Sequence, residues 1–150
     1  MEKIIQHQIF YPNPAADVWA YLTEPELMEQ WLMPNDFEPK LGHKFTFNAG
    51  CMPPEFNFDG IFHCEVLEIV PPKKLVYSWD FGPGDGTLNK SEVHWTLTEK
   101  NNGTEVLLVH RSFKGAEVLP IFIAMDKGWL GNMNKILKKL NPETDAAATA

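Results

Sequence analysis

Cysteine is scarce in this chain: Cys51 and Cys64 are the only two in 150 residues, and they form no CxxC pair. That leaves no disulfide framework and no thiolate metal site by spacing; two reduced thiols fit a cytoplasmic protein. Long apolar runs are missing as well. No window approaches the roughly 20 apolar residues of a membrane span, and Met1-Glu2-Lys3-Ile4-Ile5-Gln6 carries no stretch of signal-peptide length. Positive charge is in short supply: 13 Lys and Arg stand against 20 Asp and Glu, for a formal charge of -7. Nonspecific binding to nucleic acid or to an anionic membrane is therefore not expected. The one lysine cluster, Lys135, Lys138 and Lys139, falls in the last turns of a predicted helix, where cations offset the helix dipole.

Several catalytic signatures are absent too. His7, His43, His63 and His94 show no HxH or HxxxH spacing, so they make no zinc site by pattern. The glycine-rich Gly82-Pro83-Gly84-Asp85-Gly86 lacks the Lys and Ser/Thr of a phosphate-binding loop. No serine sits in a nucleophile elbow. Glu24, Glu26 and Glu29 read as a solvated helix face, and Glu65 and Glu68 as exposed strand positions. No cofactor or metal is expected.

What is present reads as a strand, two small helices, a run of strands and one long helix. Lys3 to Tyr11 alternate as a strand. Pro14 suits a first helical position with Asn13 as its cap, and Val18, Trp19 and Leu22 recur at helical spacing. Thr23 is expected to cap a second helix containing Pro25, Leu27, Met28 and Trp31. Further strands are predicted at Lys44–Asn48 and Phe58–Val70, the latter with a bulge near Val66 or Leu67 that reconciles its two apolar faces. Pro71-Pro72-Lys73-Lys74 forms a turn. Leu75, Tyr77, Trp79 and Phe81 then alternate with Val76, Ser78 and Asp80, and strands follow at Ser91–Thr98 and Thr104–Ser112 around the hairpin signal Asn101-Asn102-Gly103. The last helix runs from Leu119 or Pro120 to Leu140, with Phe122, Met125, Trp129, Met133, Ile136 and Leu140 on one face. Gly128 and Gly131 within it are either tolerated or mark a close approach of the helix to the sheet beside Trp129. The expected domain is 1–140, with 141–150 as a frayed tail.

Taken in order, Ala16-Asp17-Val18-Trp19-Ala20-Tyr21-Leu22-Thr23-Glu24-Pro25-Glu26-Leu27 with Trp31, then Leu67-Glu68-Ile69-Val70-Pro71-Pro72-Lys73-Lys74-Leu75-Val76-Tyr77-Ser78-Trp79, then Gly103-Thr104-Glu105-Val106, His110 and Gly128-Trp129 resemble the START-like (SRPBCC) helix-grip superfamily. Within it they are most similar to the group named after the activator of Hsp90 ATPase homologue 1. The resemblance implies an α+β helix-grip fold. About six or seven antiparallel strands would curve around the C-terminal helix, and two short helices would follow the first strand. It also implies a cavity between sheet and helix, of the kind in which related proteins hold lipids, polyketides or other flat apolar molecules.

Strand parity and helical period place the candidate ligand-binding residues on that seam. From the sheet come Phe45, Phe47, Tyr77, Trp79, Trp95, Leu108 and His110. The long helix offers Phe122, Met125, Trp129 and Met133, and Trp31 with Met33 would form a mouth. Taken singly, each of these side chains is read as plain core first; it is their number at one seam that suggests a pocket. His110 is the polar one: a core histidine satisfied by a carbonyl, a water or Tyr77, a ligand contact, or a proton shuttle. The favoured function is non-enzymatic binding of a small hydrophobic ligand by a monomer or weak homodimer. The rivals are partnership with an Hsp90-type chaperone and a polyketide cyclase or dehydratase activity. The preferred reading rests on a hollow among Trp79, Trp95 and Trp129.

Overall fold

The computed structural model describes residues 3–113 and 119–142. Strand β1 (Lys3–Tyr11) leads into helices α1 (Ala15–Thr23) and α2 (Pro25–Trp31). Strands β2 (Lys44–Asn48), β3 (Ile61–Val70), β4 (Lys74–Ser78), β5 (Glu92–Lys100) and β6 (Gly103–Phe113) follow, and helix α3 (Leu119–Leu140) closes the chain. The six strands form one curved antiparallel sheet in the order β1-β6-β5-β4-β3-β2, with α3 laid across its concave face. This is the helix-grip α+β fold. Residues 143–150, most of the expected tail, lie outside the described residues.

The period-two pattern puts one face of each strand in the core. Ile5, Phe45, Phe47, Phe62, Cys64, Val66, Leu75, Tyr77, Val93, Trp95, Leu97, Val106, Leu108 and His110 are all buried. The bulge in β3 falls where its two apolar faces required it. Val66 pairs with Tyr77, but Ile69 pairs with Leu75, and the register shifts between Val66 and Glu68. The extra residue, Leu67, is exposed, and the strand resumes with Ile69 turned inward. At the β5–β6 hairpin, Asn101 and Asn102 have φ of 52° and 61°, the paired positive values of a tight I′-type turn. Gly103 follows, and there a Cβ would sit 2.4 Å from both the Phe10 ring and the Tyr11 carbonyl oxygen.

Several local expectations are corrected. Asn13 does not cap α1: its carbonyl accepts from Thr104 Oγ1 at 2.8 Å and its side-chain oxygen accepts from Asn141 Nδ2 at 2.8 Å. Those bonds tie the start of α1 to β6 and to the end of α3. Thr23 is the last residue of α1 and donates to Trp19 O rather than capping α2. Strand β3 begins at Ile61, not Phe58, because Gly60 at φ 93° turns the chain. Phe81 lies beyond β4, in an isolated bridge to Asn89.

Helix α3 is fastened to β1 by two polar contacts. His7 Nε2 donates to Asp126, 2.8 Å from Oδ1 and 3.0 Å from the carbonyl oxygen. Tyr11 donates its hydroxyl to Met133 O at 2.7 Å. The buried face of α3 is Ile121, Met125, Trp129, Met133 and Ile136. Phe122, placed on that face by the sequence, is only partly buried at its edge, and Ile121 takes the inward position. The strict four-residue series 121–125–129–133 carries the contact. Gly128 and Gly131 do not bring the helix close to the sheet. Both are exposed, and a Cβ at either would meet nothing within 4 Å.

Candidate functional site

The centre of the concave face is solid aromatic packing. Trp129 meets Trp79 at a ring-centre distance of 5.2 Å and Trp95, edge-on, at 5.7 Å. Trp31 stands edge-on to Trp95 at 6.0 Å, Phe47 lies 5.2 Å from Trp79, and Phe45 lies 5.5 Å from Tyr77. Such pairs contribute about 0.5–1.5 kcal/mol each beyond simple burial. Trp31, Phe45, Phe47, Tyr77, Trp95, Leu108, His110 and Met133 are each at most 2% exposed, and none of them lines the cavity described below. Trp79, Trp95 and Trp129 interlock, so the hollow expected among all three lies instead to one side, beside Trp79 and Trp129.

His110 is bound into this packing. Trp129 Nε1–H donates to His110 Nδ1 at 2.9 Å, and Ser91 Oγ is 2.9 Å from Nε2. An indole can only donate, so Nδ1 accepts and the neutral ring carries its proton on Nε2, facing Ser91. Ser91 in turn donates to the Trp79 carbonyl oxygen. Burial, with a smaller contribution from His94, holds the imidazole pKa well below its usual 6.5. In this arrangement His110 cannot take the Ser91 proton, because its Nε2 lone pair is not free. No motif in the sequence singles out Ser91, although it shares the inward parity of Val93 and Trp95 on β5.

The open space lies between the first half of α3 and the wide connection from β2 to β3. It is a cavity of about 190 Å³. One wall is α3: Ile121, Ala124, Met125, Gly128, Trp129 and Asn132. The sheet gives Phe62 and Trp79, whose rings lie 4.3 Å apart. Leu32 and Met33 close the side after α2, and Ala49, Met52, Phe56 and Phe58 come from the connecting segment. That segment carries a 3-10 turn at Pro54–Phe56 and is pinned at its base, where Ala49 N–H donates to Gly60 O at 2.7 Å. Gly60 cannot be substituted there without a shift, since a Cβ would fall 2.1 Å from Gly50 O.

Among the described residues, the cavity walls hold no charged side chain, and Asn132 brings the one polar side chain other than the indoles of Trp79 and Trp129. Of the residues expected to bind a ligand, Trp79, Met125 and Trp129 border the cavity. Met33, expected at its mouth, also lines it, whereas Trp31 is sealed in the core. The connecting-segment residues were not legible as a wall, because no periodicity relates a loop to a helix some 70 positions away.

One atom here breaks the pattern of satisfied polar groups. Of the four buried tryptophans, Trp31 donates to Tyr21 O, Trp95 to Tyr77 Oη, and Trp129 to His110. Trp79 Nε1 alone, among the described residues, is a buried side-chain polar atom with no partner. Leaving such a donor unpaired costs about 1–3 kcal/mol. No group of three or more His, Cys, Asp or Glu among the described residues converges as a metal site. Cys51 is exposed and Cys64 buried, both as free thiols. Burial, then Asp80 and Asp36, push the Cys64 pKa well up.

The family profile described as activator of Hsp90 ATPase homolog 1-like protein matches residues 12–141. The chain belongs to that family. Among solved structures it is similar to protein MLL2253 from Mesorhizobium loti, at 29% identity and a TM-score of 0.81, covering 93% of this chain and 98% of that one. Bacillus halodurans protein BH1534 is 26% identical with a TM-score of 0.69, over 91% and 95% of the two chains. DynU16, a putative protein in the dynemicin biosynthetic locus, shares the fold at 23% identity and a TM-score of 0.71, over 92% of this chain and 47% of that one. A search of curated proteins found no match. Among the described residues, no helix is long and apolar enough to cross a membrane.

Proposed function

We propose that this protein binds a small hydrophobic molecule without chemically altering it, seating one ring of that molecule beside Trp79 and Trp129. The observation that carries this reading is the cavity itself. An apolar space of about 190 Å³ persists next to an otherwise close-packed aromatic core. A dry engineered cavity of roughly 150 Å³ suffices for benzene, and a pocket for a drug-sized ligand is usually about 300–1,000 Å³. The expected guest therefore buries one ring, or a compact bicycle, and any tail leaves through the mouth. Met33, Met52 and Met125 give the walls unbranched, polarisable side chains that adapt to a guest. The ligand-carrying character of the fold agrees with this reading, and the His110–Ser91 arrangement supports it over proton-shuttle chemistry.

A guest of about ten heavy atoms, gaining ~0.3–0.5 kcal/mol per atom, would bind with a Kd on the order of 1 mM. Larger ligands that also cover the mouth would bind more tightly. The test is an NMR titration with small bicyclic aromatics, flavonoids and fatty acids, run beside a chaperone ATPase assay. Shifts confined to the walls named above are expected for the aromatics. Silence across the panel, or stimulation of an Hsp90-type ATPase with no ligand response, would replace this reading with the chaperone one.

A further inference from the structure

Within that same reading, on which this inference rests, we infer that the ligand is a neutral aromatic carrying a hydrogen-bond acceptor such as a ketone, and that Trp79 Nε1–H receives it. Trp79 is 2% exposed and borders the cavity, and its indole nitrogen has no partner, whereas each of the other three buried indoles does. A tryptophan at this position spends a donor that phenylalanine would not carry. The nitrogen itself is fully buried, so an acceptor reaches it only as the adaptable methionine walls shift, and it then removes the standing cost of the unpaired N–H.

Neutrality follows from the rest of the wall. Among the described residues no Lys or Arg borders the cavity, and the chain as a whole carries -7. A carboxylate entering there would lose its hydration and gain no cation in exchange. Asn132, on α3, offers a second polar contact and can donate or accept. The preferred guest is thus a ketone, lactone or similar carbonyl compound on an aromatic skeleton.

The probes are 1-tetralone, its hydrocarbon tetralin, and the anion 1-naphthoate. In wild-type protein, 1-tetralone should move the Trp79 indole N–H resonance downfield, and tetralin should perturb the walls without that shift. Trp79→Phe, which keeps a ring and removes the donor, should weaken 1-tetralone about tenfold and leave tetralin within about twofold. The wild-type resonance needs no variant, so the test survives a poorly folded substitution. An unmoved Trp79 N–H, equal weakening of both probes in Trp79→Phe, or 1-naphthoate binding more tightly than 1-tetralone would each overturn this inference while leaving the cavity in use. Absence of binding by every probe would instead overturn the ligand-binding reading beneath it.

Discussion

Gly128 offers the cleanest separation of stability from binding in this molecule. It lies in the interior of α3, where glycine costs about 0.8–1.0 kcal/mol relative to alanine. Packing does not require that cost, because a Cβ there meets nothing within 4 Å and the backbone has no positive φ. Gly128→Ala should therefore stabilise the protein by about 1 kcal/mol, which for a chain of this size raises Tm by roughly 2–4 °C. Gly131→Ala should do the same, since it is equally open and is not a cavity wall. The two positions diverge when the side chain grows. Gly128→Phe places a ring at the cavity wall, and phenylalanine still has a better helix propensity than glycine, so Tm should not fall below wild type. Affinity for 1-tetralone should drop at least about tenfold in Gly128→Phe, whereas Gly131→Phe should bind as wild type. Thermal melts by circular dichroism and the NMR titration read the two effects separately. A Tm lowered by Gly128→Ala would show that the helix face is not open there. Undiminished binding by a folded Gly128→Phe would show that the ligand sits elsewhere.

Three further outcomes follow from the polar groups. His110 is held neutral in the fold, while the unfolded chain takes up its proton near pH 6.5, so below that pH the unfolded state binds more protons and stability falls; above it the contribution is complete. Between pH 7.5 and 5.5 this group alone should remove on the order of 1 kcal/mol, and urea midpoints for His110→Gln should show a correspondingly smaller loss; equal losses would mean the folded ring already titrates normally. Tyr11→Phe removes the bond to Met133 O that joins β1 to α3 and should cost about 1 kcal/mol in urea denaturation; no loss would mean this tie does not hold the helix in solution. A thiol reagent on native protein should label Cys51 and spare Cys64 until unfolding, because Cys64 is buried with its pKa pushed up; rapid labelling of both would contradict that burial.

Much of the architecture was written locally. Alternation of polar and apolar residues set the inward face of each strand, and even the conflict between Val66 and Ile69 required the bulge that appears between them. Asn101-Asn102-Gly103 specified its turn because those residue types tolerate positive φ. These features depend on neighbours two to four positions apart, which is why a linear reading reaches them. Helix capping was less legible. Asn13 and Thr23 are chemically suited to cap, but Asn13 is claimed by Thr104 and Asn141, partners far away in the chain.

The sequence alone therefore settled the inward face of the strands, because parity follows from backbone geometry, but on α3 it put Phe122 where Ile121 stands. It could not settle how much of that space they fill. Whether Trp79, Trp95 and Trp129 interlock or stand apart depends on rotamers and on the separation of helix and sheet, and these are set jointly by every contact in the core. The tertiary structure decided that the centre is packed and that the hollow lies at its edge, bounded by a loop whose position no periodicity encodes. It also decided which indole was left without a partner, since hydrogen-bond satisfaction is a property of three-dimensional neighbours.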